Sequence, residues 1–371
     1  MKETRIKIGV IGTRGFPDIQ GGIETHCLQL YTRIASLEEN EITVYRRVPY
    51  LTDKNKNAYY RNIRFVDLFV PRNKYFETFL HSLFATVHSL FQGYDIVHFH
   101  NSGPGFFMPV LKFTRAKIVF TYHNISYTQK KWNKYARRFL SLSEKVSIIR
   151  SDFIIFISEI IKSEILERYK IKNYKIIPNG VIIPKKSLNW DYVKSLDLER
   201  GKYIISVGRF LEEKGFDYLI RAFRKADVKD YKLVIVGDTD YPTDYSDKLK
   251  TLARLNNIVL TGFIKGEELN QIFSFARLFV ISSFAEGLPI SLLEAMSYGL
   301  EILASDIPAN LQIGLDSDDY FKTGNEDDLK EKMINKLSNL DGRNYNKILE
   351  TNFNWNKIAL DTIEVYKNIL I

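Results

Sequence analysis

Cysteine is nearly absent: Cys27 is the only one in 371 residues. A single thiol cannot close an intrachain disulfide, and a metal centre built from several cysteines is excluded. Long apolar runs are missing too. No stretch of about 18 apolar residues occurs, so no membrane-spanning helix is expected. Met1 to Gly12 lacks the apolar core of a secretory signal, which makes the cytoplasm the expected compartment. There is no low-complexity segment and no short internal repeat.

What is present is a globular composition, 45% hydrophobic and 26% charged. At this length two α/β domains are expected rather than one core. The net charge of +9 is unevenly spread: residues 1–180 carry 28 Lys and Arg against 15 Asp and Glu, and residues 181–371 carry 25 against 29. A basic first half suits nucleic acid, anionic lipid or phosphorylated substrates, or is a solvated surface and nothing more.

Continuous apolar runs alternate with longer helical patterns. In the first half they are Ile6–Ile11, Ile42–Tyr45, Asp95–His98, Lys117–Tyr122 and Phe153–Ile157. In the second they are Tyr203–Val207, Lys232–Val236, Asn257–Thr261, Leu278–Ile281 and Glu301–Ala304. Runs without polar alternation fit parallel strands buried on both faces, and the alternation with helices predicts one doubly wound sheet per half. The seam is expected near Pro178-Asn179-Gly180, before the polar stretch Lys185 to Lys202. Asn354 to Ile371 reads as an amphipathic helix with Trp355, Ile358, Ala359, Thr362, Val365 and Ile369 on one side.

Ligands of open α/β sheets bind beyond the carboxyl ends of the strands, and the unusual residues fall there. Gly12-Thr13-Arg14-Gly15 and Gly21-Gly22 follow the first run. The spacing is wrong for a dinucleotide fingerprint, which would need Gly where Arg14 and Pro17 stand. Gly21-Gly22 either lets backbone N–H groups approach a phosphate or sugar, or is a tight turn into a helix beginning near Glu24. Gly208-Arg209 and Lys214-Gly215 follow the Tyr203–Val207 run; the two cations form a diphosphate clamp or a solvated pair.

The sharpest constellation is Glu286-Gly287-Leu288-Pro289 followed by Glu294. Pro289 suits the first turn of a helix whose N-terminus would face a phosphate. Glu294, set among Leu292, Leu293 and Met296, needs a partner: the hydroxyls of a ribose, or an internal cap or ion pair.

Metal chemistry finds little support. His98 and His100 form an i, i+2 pair on one strand face, but the sequence offers no convincing third ligand, so structural or acceptor-site roles are preferred. Asp238-Thr239-Asp240 has the letters of a metal-binding pair but the wrong strand context.

These residues resemble glycosyltransferase family 4, through Gly208-Arg209, Lys214-Gly215 and the segment Glu286 to Gly299. The opening, Gly9 to Pro17 followed by Gly21-Gly22-Ile23-Glu24-Thr25, is similar to a bacterial subgroup that includes rhamnosyltransferases of capsule and exopolysaccharide assembly. The resemblance implies the GT-B architecture: two Rossmann-like doubly wound domains facing across a cleft. It implies an acceptor domain over residues 1–180, a donor domain over 181–353 and a helix, 354–371, crossing back. It also implies a retaining, metal-independent transferase that uses a nucleotide-diphosphate sugar, with rhamnose or another hexose as the sugar, and no cofactor.

On this reading Arg209 and Lys214 hold the diphosphate and steady the leaving nucleotide. Glu286 acts near the anomeric carbon, with Gly208, Gly287 and Leu288 around the donor. Glu294 binds the ribose, and Gly262, Phe263 and Ile264 line the base pocket. Gly21 and Gly22 close on the sugar, and His123 lies near the reacting centre; its alternative is a structural histidine. Glu301 stands where the family often has proline and is expected to be a surface change of little effect. Relatives sometimes carry Asp near His123.

The acceptor is expected to be a saccharide or a lipid-diphosphate-linked sugar in cell-surface polysaccharide assembly. Tyr75 to Phe91 places Phe76, Phe79, Leu80, Leu83, Phe84, Val87, Leu90 and Phe91 at helical spacing, and Lys130, Lys131, Lys134, Arg137 and Arg138 follow. The stripe is either core packing or, with the basic residues, a dock on an anionic inner-membrane surface. The rival readings are a nucleotide-sugar epimerase of GT-B fold, a non-catalytic subunit, and a nucleic-acid-binding module. The last two leave the cations and carboxylates unexplained, and no nucleic-acid partner is expected.

Overall fold

The computed structural model describes residues 5–73, 76–124, 133–239, 241–338 and 343–371. The chain divides into two units, Met1–Asn179 with Trp355–Ile371, and Gly180–Asn354.

The first unit holds a seven-stranded sheet of order β3-β2-β1-β4-β5-β6-β7. Its strands are β1 (Lys7–Ile11), β2 (Glu41–Arg47), β3 (Ile63–Leu68), β4 (Ile96–His100), β5 (Lys117–Tyr122), β6 (Phe153–Phe156) and β7 (Tyr174–Ile176). The second unit holds six strands in the order β10-β9-β8-β11-β12-β13. These are β8 (Tyr203–Val207), β9 (Lys232–Val236), β10 (Val259–Gly262), β11 (Leu278–Ile281), β12 (Glu301–Ser305) and β13 (Tyr320–Phe321). Neighbouring strands pair in parallel throughout both sheets. Two doubly wound parallel sheets are the architecture the apolar runs predict.

Three strands escaped the sequence reading, β3, β7 and β13, and all three lie at sheet edges. An edge strand faces solvent on one flank, so Ile63–Leu68 mixes Arg64 and Asp67 into its apolar residues and loses the continuous apolar signature. The other two are only three and two residues long.

Each sheet reverses its order once, between β1 and β4 and between β8 and β11. Such switch points open a crevice at the strands' carboxyl ends. At the first, Gly12 has φ +112°, and a Cβ there would lie 2.2 Å from the His100 carbonyl oxygen. Only glycine permits that approach.

Trp355–Leu370 forms a helix that buries Trp355, Ile358, Ala359, Ile363, Val365 and Tyr366 in the first unit's core, with Ile8, Val10, Leu30 and Ile34. Arg33 of the Gly22–Leu37 helix donates to Asn356, and Lys367 pairs with Glu38 at 2.6 Å.

Glu301 is not on the surface. It is 4% exposed, at the first position of β12, 3.5 Å from Lys336 Nζ and 3.6 Å from Arg343 Nε. Lys336 and Arg343 also pair with buried Asp319. The expectation of a minor surface change was wrong, because this acidic residue neutralises two cations that a proline would leave without it.

Gly12→Ala adds both a left-handed strain and an overlap with backbone that cannot yield. We expect a cost of about 3 kcal/mol and a fall in the melting midpoint of roughly 6–12 °C, read by calorimetry. An unchanged midpoint contradicts the close approach of β1 to His100.

Candidate active site

In the second unit the site is built around the switch point. β8 ends at Val207, and Gly208, Arg209 and a one-turn 3-10 helix at Glu212–Lys214 follow. Gly215 then has φ +63°, and a Cβ there would lie 2.4 Å from the Ser282 carbonyl oxygen. Glycine at this position lets the turn press against the end of β11. Ser282 Oγ donates to the carbonyls of Lys214 (2.9 Å) and Gly215 (3.1 Å), and Phe284 N–H donates to Glu213 O.

This contact brings Lys214 to Glu286. Lys214 Nζ donates to Glu286 Oε1 at 2.5 Å, and Ser283 Oγ donates to the same oxygen at 2.6 Å. The side chains are 20% and 11% exposed, so the pair is partly dry and still reachable. Arg209 is half-buried in the loop between β8 and this turn. Gln312 Nε2 donates to Gly287 O, holding the loop between Glu286 and the next helix. Ser283 and Gln312 were missed as site residues. Neither carries a sequence signal of its own; the register of β11 and the loop after β12 set their roles.

That helix spans Ile290–Ser297, with Pro289 as the residue before it rather than in its first turn. Glu294 lies four residues inside. Its carboxyl is half-buried and makes no hydrogen bond or ion pair with any described residue, so the alternative of an internal cap or ion pair finds no partner there. Burial alone pushes it up to about 7. Leu288 and Ile264 are buried, and Phe263 is 45% exposed beyond Gly262, which has φ +68°. Asp238 pairs with Lys250 at 2.8 Å and accepts from Thr239 N–H; Asp240 lies outside the described residues.

In the first unit the glycine loop is closed by a buried ion pair. Arg14 Nε and Nη2 each lie 3.2 Å from a Glu24 carboxylate oxygen, and Arg14 N–H donates to Glu24 Oε1 at 3.0 Å. Burial would raise the Glu24 carboxyl, but the adjoining guanidinium and its hydrogen bonds outweigh that and hold it low. The helix begins at Gly22, two residues before the expected start. Gly21, at φ +146°, has no room for a Cβ, which would lie 2.1 Å from Glu24 Oε2 and 2.6 Å from Arg14 Nη2. Arg14 and Glu24 were missed as a pair because ten residues separate them across the loop.

His123 follows β5 and is 6% exposed. Its Nε2 lies 3.0 Å from His100 Nδ1, and His100 Nε2 lies 2.6 Å from the Tyr31 hydroxyl. Tyr31 and Tyr366 both bond to His98 Nδ1, and Thr121 Oγ1 bonds to His98 Nε2. His26, from the Gly22–Leu37 helix, joins the group. Burial drops His26 to about 4 despite its bond to Asn179; burial and neighbouring rings hold His98, His100 and His123 well below the ordinary imidazole value. The sequence reading found no third ligand for a His98–His100 pair. The fold supplies His26 and His123 instead, grouped with His100 while His98 turns to the tyrosines.

Glu294 makes stability depend on pH with a defined sign. The unfolded carboxyl loses its proton near 4.5, whereas the folded one keeps it to about 7. Stability is therefore full below that window and falls as pH rises through it. We expect Glu294→Gln to exceed the parent in stability by about 1–3 kcal/mol at pH 8, with the gap closing toward pH 5. Urea unfolding at both pH values reads this; a gap of the same size at both contradicts it.

The chain matches two family models, Glycosyltransferase Family 4 over residues 20–183 and Glycosyl transferases group 1 over residues 189–352. An uncharacterized glycosyltransferase of Methanocaldococcus jannaschii is 26% identical over 303 residues, covering 74% of this chain and 75% of its own. An Escherichia coli UDP-Gal:alpha-D-GlcNAc-diphosphoundecaprenol alpha-1,3-galactosyltransferase is 27% identical over 237 residues, 58% of this chain and 59% of its own. Among solved structures, sucrose-phosphate synthase of Thermosynechococcus elongatus superposes with a TM-score of 0.82 at 21% identity, over 98% of this chain and 99% of that one. The chain is a glycosyltransferase of GT-B type, related in sequence to enzymes of surface-polysaccharide biosynthesis.

Proposed function

We propose that the second unit binds a nucleotide-diphosphate sugar and that the chain transfers the sugar, with retention and without a metal at the diphosphate, to a saccharide or lipid-diphosphate-linked acceptor. Rhamnose or another hexose is the sugar on this reading. The observation that carries it is the segment Ser283 to Glu294, which sets a lysine-paired carboxylate and an unpartnered one on either side of Pro289.

Transfer breaks the bond from the anomeric carbon to the phosphate oxygen and forms one to an acceptor hydroxyl oxygen. The acceptor proton passes to the leaving phosphate. Charge develops on the diphosphate and, with opposite sign, at the anomeric carbon. Lys214 has three N–H donors, so it can serve the diphosphate while keeping Glu286. Arg209 adds a planar fork, and the N–H groups of Ile290 and Ser291 add a helix end. These cations take the part a metal plays elsewhere.

Glu286, fixed by Lys214 and Ser283, sits near the positive anomeric centre. Glu294 accepts from the ribose hydroxyls, which satisfies a carboxyl otherwise without a partner. Gly208, Gly287 and Leu288 shape the donor site, and Gly262, Phe263 and Ile264 line the base. His123 and the Gly21-Gly22 loop are assigned to the sugar and acceptor. The transferase names of the relatives leave the epimerase reading without support.

A lipid-linked acceptor, as in the Escherichia coli relative's name, implies work at a membrane face. No described helix is long and apolar enough to cross a membrane. The Phe76–Ser89 helix, however, buries its small and polar side, Glu77, His81, Ser82, Ala85, Thr86 and Ser89. Its apolar stripe points out: Phe76 is 61% exposed, Phe84 45%, Val87 41%, and Phe91 beyond it 79%. This removes the core-packing reading for those four. Phe79, half-buried, lies 5.8 Å from Phe139 of the Lys134–Arg150 helix, which exposes Lys134, Arg137 and Arg138. Tyr75, Lys130 and Lys131 lie outside the described residues. We read this surface as a peripheral dock on the anionic inner face of the cell membrane.

A panel of nucleotide sugars scored by thermal shift and then by transfer tests the reaction. Glu286→Ala is expected to lose about 10²–10³-fold in turnover with its melting midpoint unchanged; a fully active variant removes the assignment. In flotation with anionic vesicles at modest salt, Phe84→Ser with Phe91→Ser should cut binding at least about tenfold. Undiminished binding, or none by the parent, argues against docking through this face.

A further inference from the structure

One cluster in the first unit joins His123, assigned above to the sugar and acceptor, to two histidines that the proposed reaction does not use. His26, His100 and His123 come from the Gly22–Leu37 helix, the end of β4 and the residue after β5. Their exposures are 2%, 0% and 6%. One nitrogen of each lies within 4.8 Å of the other two.

The hydrogen bonds fix what His26 offers. Its Nδ1 lies 2.9 Å from Asn179 Oδ1, an oxygen that can only accept, so Nδ1 carries the proton. Nε2 is then a bare lone pair. It is fully buried and has no hydrogen-bond partner. Such an acceptor costs about 1–3 kcal/mol unless something satisfies it.

Ring positions say what would. The ring centres are 5.4 Å apart for His26 and His100, 4.8 Å for His26 and His123, and 5.3 Å for His100 and His123. Three imidazoles bound tetrahedrally to one ion, each through about 2.0–2.1 Å, have centres about 5.2 Å apart. The rings thus have the spacing of a metal-bound triad, and the farthest nitrogens, up to 4.8 Å apart, need to close by about 1.5 Å to reach tetrahedral separation.

The outer contacts agree as well. Metal-ligating histidines hand their distal N–H to an oxygen. His26 has Asn179, and His100 has the Tyr31 hydroxyl at 2.6 Å through Nε2, leaving Nδ1 for the ion. Tyr31 can then donate to His98 Nδ1 at 2.9 Å, and His98 Nε2 to Thr121 at 2.7 Å, so every proton in that chain finds an acceptor.

We propose that His26, His100 and His123 form a binding site for one divalent transition-metal ion of the zinc class, with a fourth position open to water or a hydroxyl. Three neutral imidazoles without a carboxylate favour such borderline ions over magnesium or calcium. The site shares only His123 with the proposed reaction, whose cations and carboxylates belong to the second unit; Zn²⁺ binding is read without donor or acceptor, so either can fail without the other.

The test is calorimetric titration of the metal-stripped full chain with Zn²⁺, with a chromophoric chelator as competitor. One equivalent per chain is expected, with a dissociation constant below about 1 µM. His26→Gln should weaken binding at least about 100-fold, and Asn179→Ala about tenfold, through the lost orientation of His26. His88→Gln, outside the triad, should bind as the parent does. The proposal is overturned if the full chain shows no saturable Zn²⁺ binding, or if His26→Gln binds with the parent's affinity and stoichiometry. Should His26→Gln not fold by circular dichroism, Asn179→Ala decides by the same criterion.

Discussion

The second unit's site depends on one backbone contact, the turn at Gly215 resting against the carbonyl of Ser282. Without a Cβ in the way, β11's end and the Glu212–Lys214 turn share two side-chain hydrogen bonds and one backbone bond. Lys214 and Glu286 are 72 residues apart in the chain and meet because of it. A pair only partly out of water gains little net stability from its charges. What it gains is position: a carboxylate held by both a lysine and Ser283 has few orientations left, which is what a group facing a developing positive charge needs.

The first unit meets the same crowding differently. Gly12 admits the His100 carbonyl at its switch point, and the space around β4 and β5 fills with imidazoles and phenols rather than ions. Imidazole rings are bulky enough to pack and polar enough to bond at both ends. Thr121, His98, Tyr31, His100 and His123 therefore form one continuous chain from mid-sheet to a strand end. Each ring's proton position constrains the next, so the tautomer at His123 is set by residues well behind it. His26 is outside this chain, which is why its lone pair stands apart chemically.

What could be read from the sequence follows from range. Buried central strands announce themselves by continuous apolar runs, and β8, β9, β11 and β5 were found at their observed limits. Edge strands β3, β7 and β13 were not, because half-solvated or very short strands lack that pattern. That Lys214 lies in a turn, Glu286 in a loop and Glu294 within the following helix was legible because turn chemistry and helix starts are local. Ser283, Gln312, the Arg14–Glu24 pair and the meeting of His26 with His100 and His123 were not, because strand register and helix packing bring them in. Glu301 shows the opposite hazard: its neighbours in sequence suggested a surface position, but Lys336 and Arg343 cover it from distant segments.

The two glutamates flanking Pro289 show how partners rather than residue type set a side chain's state. Glu286 has a lysine and a serine on one oxygen and is held in place by them. Glu294, eight residues on, is buried as deeply in effect but has nothing to bond, and its proton stays to about 7. A fold gains no stability from such a carboxyl; a glutamine or leucine of similar size would serve the helix better. In its apolar stretch between Leu293 and Ala295 it is a buried acceptor whose donors another molecule can supply. On the proposed reading, the two adjacent hydroxyls of a ribose are those donors.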